Sequence, residues 1–230
     1  MRAAIPNAIT LGNLLLGCIG LSFAAWGDFP AAGFCIYGAA VLDFFDGFAA
    51  RLLKAYSVIG KDLDSLADAV SFGVLPAFIL FQLSASLPGI PYTEYLVYAV
   101  ALASVLRLAR FNNDSRQTDG FIGLPTPANA MLIASLLIWL GGKGSSWMPL
   151  LEKWHITLFA AIVSYLLLSP IPMMAFKFKN FGWKENQERY LFLIFSLFLL
   201  LWHVYLGLAF VILAYVSWSV LRLLLPKRNS

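Results

Sequence analysis

Charge is what this chain has least of. Only 12% of its 230 residues are Asp, Glu, Lys or Arg, about half the roughly 25% of a soluble domain. With 60% hydrophobic residues and a mean hydropathy of +0.79, that shortage excludes an ordinary soluble domain. Histidine and cysteine are scarce too, with two of each. Cys18 and Cys35 lie in apolar stretches, outside any CxxC or Cys/His cluster, and read as small buried hydrophobes. His155 and His203 fall far from the acidic residues and read as interfacial or packing groups. There is no internal repeat, no low-complexity tract and no segment between apolar runs long enough to fold alone. The N-terminus starts with charge and an apolar stretch but lacks a small-x-small cleavage site, so a retained first helix is expected rather than a signal peptide. The basic residues lie between apolar runs, not along one patch, so the net charge of +4 implies no nucleic-acid partner.

What the chain does have is long apolar runs. About 20 such residues cross a bilayer, and eight stretches qualify: roughly 5–26, 30–53, 63–86, 91–111, 124–142, 154–175, 188–203 and 205–225. The fold class expected is all-α, a polytopic transmembrane helical bundle of about eight spans. If the N-terminus is cytoplasmic, that side holds Arg2, Arg51, Lys54, Lys61, Arg107, Arg110, Arg116, Lys177, Lys179, Lys184, Arg189, Arg222, Lys227 and Arg228. The far side holds only Lys143 and Lys153. This asymmetry places both termini in the cytoplasm and agrees with an even number of spans. Trp26, Tyr92, Tyr95, Trp147, Trp154 and Trp183 fall near span ends, as interfacial anchors do.

Four acids interrupt the apolar pattern: Asp43, Asp46, Asp64 and Asp68. Carboxylates inside apolar helices are costly and need a compensating partner. Asp43, Asp46, Gly47 and Ala50 share one face of a helix, and Gly60, Asp64 and Asp68 share one face of the next. Two helices joined by a short basic turn would point four carboxylates at one another, and divalent cations between them would relieve the repulsion. The rival reading is a buried ion-pair network with Arg51 and Lys54. A second rival, a cation transporter, would need acids along a route across the bilayer, whereas these cluster toward the cytoplasmic side.

The full pattern is Asp43-x2-Asp46-Gly47-x2-Ala50-Arg51-x8-Gly60-x3-Asp64-x3-Asp68. It resembles, without departure, the signature of the CDP-alcohol phosphotransferase family. The resemblance implies a single membrane domain over 1–230, with a family core over about 1–175 and extra C-terminal helices over 176–230. It implies two divalent cations, Mg²⁺ or Mn²⁺, held by Asp43, Asp46, Asp64 and Asp68, with Asp68 also the general base. Metal pairs about 4 Å apart clamp phosphate groups during displacement. Gly47, Ala50 and Gly60 would let CDP-diacylglycerol approach closely, Arg51 would supply bidentate donors to phosphate, and Ser57 matches a nucleotide contact. Near the N-terminus, Pro6-Asn7-x2-Thr10 resembles an element of the same family that helps hold the cytidylyl or phosphate groups through Asn7 and Thr10. A helix start with local caps is the plain alternative. Asn13, one turn on, could join that face.

Two further stretches discriminate the acceptor. Asp68 to Ala77, with Ser71-Phe72-Gly73 and Pro76, is one. The other is Arg107-Leu108-Ala109-Arg110-Phe111-Asn112, followed by Gly123-Leu124-Pro125-x-Pro127-Ala128. Both resemble the CDP-diacylglycerol–serine O-phosphatidyltransferases of bacteria and archaea, and extend the likeness to residues 5–130. The resemblance implies L-serine as acceptor, phosphatidylserine and CMP as products, a homodimer, and a prokaryotic plasma membrane with the active site facing the cytoplasm. Serine's carboxylate needs a cation, which Arg107 or Arg110 could supply, and Asn112 could meet the amino group. Topogenic charge is the plain reading of both arginines. Glycerol 3-phosphate or inositol phosphate is the alternative acceptor for the same chemistry, and would want more cations.

Overall fold

The computed structural model describes residues 4–55, 58–113, 122–142, 149–174 and 182–224. Arg2, Ser57, Arg116, Lys143, Trp147, Lys177, Lys179, Lys227 and Arg228 lie outside the described residues, as does the side chain of Lys184. Each of the eight expected spans contains a helical rod. α1 is Ala4–Ala25 and α2 is Phe29–Leu52. Gly27, with φ +80°, turns the chain between them, and Asp28 caps α2 by accepting from the Ala31 amide at 3.0 Å. Such a cap satisfies one of the orphan donors at a helix start.

The third rod has three parts: α3 (Val58–Asp68), a π-helical turn (Ala69–Val74) and α4 (Leu75–Ala85). A short 3₁₀ turn, Thr93–Tyr98, leads into α5 (Ala99–Asn113). α6 (Thr126–Gly141), α7 (Lys153–Leu168), α8 (Trp183–Trp202) and α9 (Val204–Leu224) follow. Among the described residues four rods are long and apolar enough to cross a membrane: Ala4–Ala25, Phe29–Leu52, Ile59–Ala85 and Val204–Leu223. The fourth expected span does not form one helix. Pro91 and Tyr92 (φ +68°) stand outside any helix at its start and the 3₁₀ turn takes its next six residues, leaving α5 with 15 residues.

The rod Ile59–Ala85 lies at the centre. It buries 61% of its apolar window, against 28%, 33% and 22% for the other three long rods, whose outward faces carry Leu15, Phe44, Phe48 and Leu221 in the open. Apolar outer faces are what a lipid environment accepts. α1 packs on α2 and along the central rod, α2 on α6, α6 on α9, α5 on the π turn and α7, and α8 on α9. Small residues set these distances, as is usual where helices associate in lipid. A Cβ on Gly17 of α1 would lie 2.5 Å from Ser71 Oγ of the π turn, and one on Gly33 of α2 would lie 2.9 Å from Ile138 of α6. The close approach of α1 to the π turn brings Asn13 against Asp68.

Candidate active site

α2 delivers Asp43 and Asp46 one turn apart, and α3 delivers Asp64 and Asp68 one turn apart, because helical periodicity stacks i, i+3 and i+4. Carboxylate oxygens of Asp43, Asp64 and Asp68 all lie within 4.8 Å of one another. Among the described residues no lysine or arginine forms an ion pair with any of the four acids, so the expected rival network with Arg51 and Lys54 is not formed. Arg51 is exposed, and its Nε donates to the Gly47 carbonyl at 2.9 Å. Three hard oxygen donors converging without a protein cation fit a divalent metal of the Mg²⁺ or Mn²⁺ type.

Asp46 is set slightly apart from this triad. It is buried, accepts from Thr10 Oγ1 at 2.7 Å, and its charge acts on both Asp43 and Asp64. Asp68 is buried as well and accepts from Asn13 Nδ2 at 3.2 Å. Ser71 Oγ donates to the Asn13 carbonyl at 3.0 Å, which ties the π turn back to α1. π turns recur at functional sites; here one begins at the residue after Asp68.

A cleft of about 220 Å³ opens beside the acids, lined by Pro6, Asn7, Thr10, Asp46, Gly47, Ala50, Ala55, Gly60, Lys61 and Asp64. The structure thus brings Asn7, Thr10, Gly47, Ala50 and Gly60 to one wall system, although Asn7 and Gly60 belong to different helices. Packing does not account for Gly47. Beyond its own helix backbone, a Cβ there would meet only Arg51 Nη2, at an ordinary 3.7 Å. The missing side chain instead keeps the cleft open.

The residues expected to meet the acceptor separate. Arg107 is buried, and its Nη1 donates to Thr126 Oγ1 at 3.0 Å. Its Nε has no partner, and the charge of Asp68 acts on it. Arg110 is exposed. Asn112 ties α5 to α3: its Nδ2 donates to Ser65 Oγ at 2.7 Å, and its carbonyl accepts from Lys61 Nζ at 3.0 Å. From the sequence Lys61 reads only as a topogenic charge, Thr126 only as part of the entry to the fifth span, and Ala55 and Asn129 carry no role. A lysine three residues before Asp64 shares its face, and that spacing points to it. His155 closes a capping box with Glu152 at the start of α7 and stacks on Trp154.

The family model described as CDP-alcohol phosphatidyltransferase matches residues 3–169. A CDP-diacylglycerol–serine O-phosphatidyltransferase of Mycobacterium leprae is 37% identical over 176 residues, covering 74% of this chain and 57% of that protein. The proteins so named in Bacillus subtilis and Methanocaldococcus jannaschii are each 33% identical. The first alignment covers 75% of this chain and 91% of the relative; the second covers 56% and 58%. Against the mycobacterial relatives, the chain spans somewhat over half of their length, 57% to 60%.

Proposed function

The chain belongs to the CDP-alcohol phosphatidyltransferase family, and we propose that it transfers the phosphatidyl group of CDP-diacylglycerol to L-serine, forming phosphatidylserine and releasing CMP. The observation that carries this is the convergence of Asp43, Asp64 and Asp68 beside a cleft floored by Gly47 and Ala50. The names of the relatives supply the acceptor.

In this reading Asp43, Asp46, Asp64 and Asp68 hold two divalent cations, Mg²⁺ or Mn²⁺. Bound there, such ions would neutralise the diphosphate and stabilise the charge that builds up during displacement. The cytidine diphosphate occupies the cleft. Asn7 and Thr10 line one side of it, and Ala50 and Gly60 allow close approach from the other. Arg51, tethered to Gly47, and Lys61 face the phosphates as cations. By the family likeness Ser57, which lies outside the described residues, completes the nucleotide contacts. Arg107 takes the serine carboxylate in preference to the exposed Arg110, because it is already desolvated and its Nε has no partner. Asn112 serves the same site by holding α5 to α3.

The chemistry is a single in-line displacement. Asp68 accepts the proton of the serine hydroxyl. That oxygen forms a bond to the phosphorus bearing diacylglycerol as the bond to the CMP oxygen breaks. Asn13 keeps the Asp68 carboxylate aimed into the site.

In this reading the acids lie at the cytoplasmic side of a prokaryotic plasma membrane, with both termini on that side; the lysine and arginine asymmetry supports the orientation. A water-soluble head then meets the site while acyl chains stay in lipid. The homodimer and the division into a core over 1–175 and added helices over 176–230 rest on the family likeness. The test is purified protein with CDP-diacylglycerol, Mn²⁺ or Mg²⁺ and a panel of alcohols. CMP release with serine and none with glycerol 3-phosphate or inositol phosphate supports the reading, as does its loss on chelation. Release with a phosphorylated alcohol alone would refute the acceptor. Metal-independent release would refute the acidic centre.

A further inference from the structure

On the helices that flank the π turn, the packing leaves several buried polar atoms without partners. Thr126 and Asn129 of α6 are both fully buried and, three residues apart, share one face. Thr126 is held by Arg107, yet neither the nitrogen nor the oxygen of the Asn129 amide meets a protein partner. On α5, one turn before Arg107, Ser104 is fully buried with its hydroxyl unpartnered, and Arg107 Nε is unpartnered too. The π turn that follows Asp68 packs against both helices, and a Cβ on Gly73 would lie 3.2 Å from Ser104 Cβ.

Unsatisfied buried polar atoms are rare because each carries its full desolvation cost, and an apolar residue of the same shape would avoid it. An amide with both ends free and the side chain held rigid by packing suits a ligand that is donor and acceptor at once. An α-amino acid is such a ligand, with three ammonium donors and a carboxylate.

Building on the serine reading above, we propose that Asn129 is a specificity-determining residue, its amide oxygen accepting from the acceptor's ammonium while Arg107 takes the carboxylate. The amide nitrogen is then free to donate to the same carboxylate. Thr126 sets the guanidinium's orientation. The face shared by Thr126 and Asn129 thus selects a zwitterion, where an alcohol lacking the ammonium would leave the Asn129 oxygen unsatisfied.

Asn129→Leu and Asn129→Ala test this in the full-length protein in detergent. The readouts are KM and kcat for L-serine, the same constants for 3-hydroxypropanoate (serine without its ammonium), affinity for CDP, and the thermal midpoint. Losing one hydrogen bond to a charged group corresponds to roughly a 10- to 100-fold change. The expected result is a rise of that size in the serine KM, with the preference for serine over 3-hydroxypropanoate reduced alike, CDP affinity within twofold, and a midpoint for Asn129→Leu at or above wild type. An unchanged serine KM would overturn the proposal. So would a lowered midpoint in Asn129→Leu with the serine KM rising and CDP affinity falling together, since that marks a structural amide or one satisfied by internal water. Wild-type protein that turns over without accepting serine would refute the acceptor reading itself and this proposal with it.

Discussion

Gly47→Ala separates packing from ligand access at one position. Gly47 is in the interior of α2, where glycine is less favourable than alanine by about 1 kcal/mol. The added Cβ would meet nothing closer than Arg51 Nη2 at 3.7 Å, so no steric cost offsets that gain. For a chain of this size about 1 kcal/mol raises the thermal midpoint by roughly 2–4 °C. The same methyl group would stand in the wall of the 220 Å³ cleft, where the proposed nucleotide approaches the helix. Overpacking a close contact costs about 1–3 kcal/mol, which is roughly 5- to 150-fold in affinity. Stability and nucleotide binding should therefore move in opposite directions. Thermal unfolding in detergent and CDP affinity by isothermal titration check the two signs. A lowered midpoint, or unchanged CDP affinity with a raised one, would refute the claim that access rather than packing keeps Gly47 small.

Asp68→Asn keeps the size and the Asn13 contact but loses the base and one charged metal ligand; transfer should fall by at least about 10²-fold, and near-wild-type turnover would sink the general-base assignment. Arg107→Ala should raise the serine KM at least about tenfold, while Arg110→Ala, at an exposed position, should change it by less than about twofold; steady-state kinetics with both variants reads the difference, and equal effects would contradict the assignment. Gly17→Ala would place a methyl 2.5 Å from Ser71 Oγ and 3.2 Å from its Cα, so the protein should lose about 1–3 kcal/mol and, because Ser71 leads back to Asn13 and Asp68, turnover should fall as well.

Much of the site could be read in the sequence because it is built from short spacings on helices. Asp43 and Asp46, and Asp64 and Asp68, are neighbours by helical periodicity alone, and the apolar runs around them leave few alternatives to a membrane bundle. The basic turn between them made a facing pair of helices foreseeable. Lys61 is within reach of the same spacing argument, although its charge already serves topology.

Longer separations carried no such signal. Thr10 meets Asp46 across 36 residues and Asn13 meets Asp68 across 55, through an approach of α1 that depends on Gly17. The π turn after Asp68 has no periodicity of its own to announce it. Arg107 and Arg110 are chemically the same residue three positions apart, and only the packing of α5 against α6 and the central rod buries one and exposes the other. In the sequence Asn129 is one polar residue in an apolar run; that its amide has no partner is a property of its surroundings. Local spacing determines which side chains share a face, but burial and pairing belong to the assembled helices, and those decide which of the polar groups are left for a ligand.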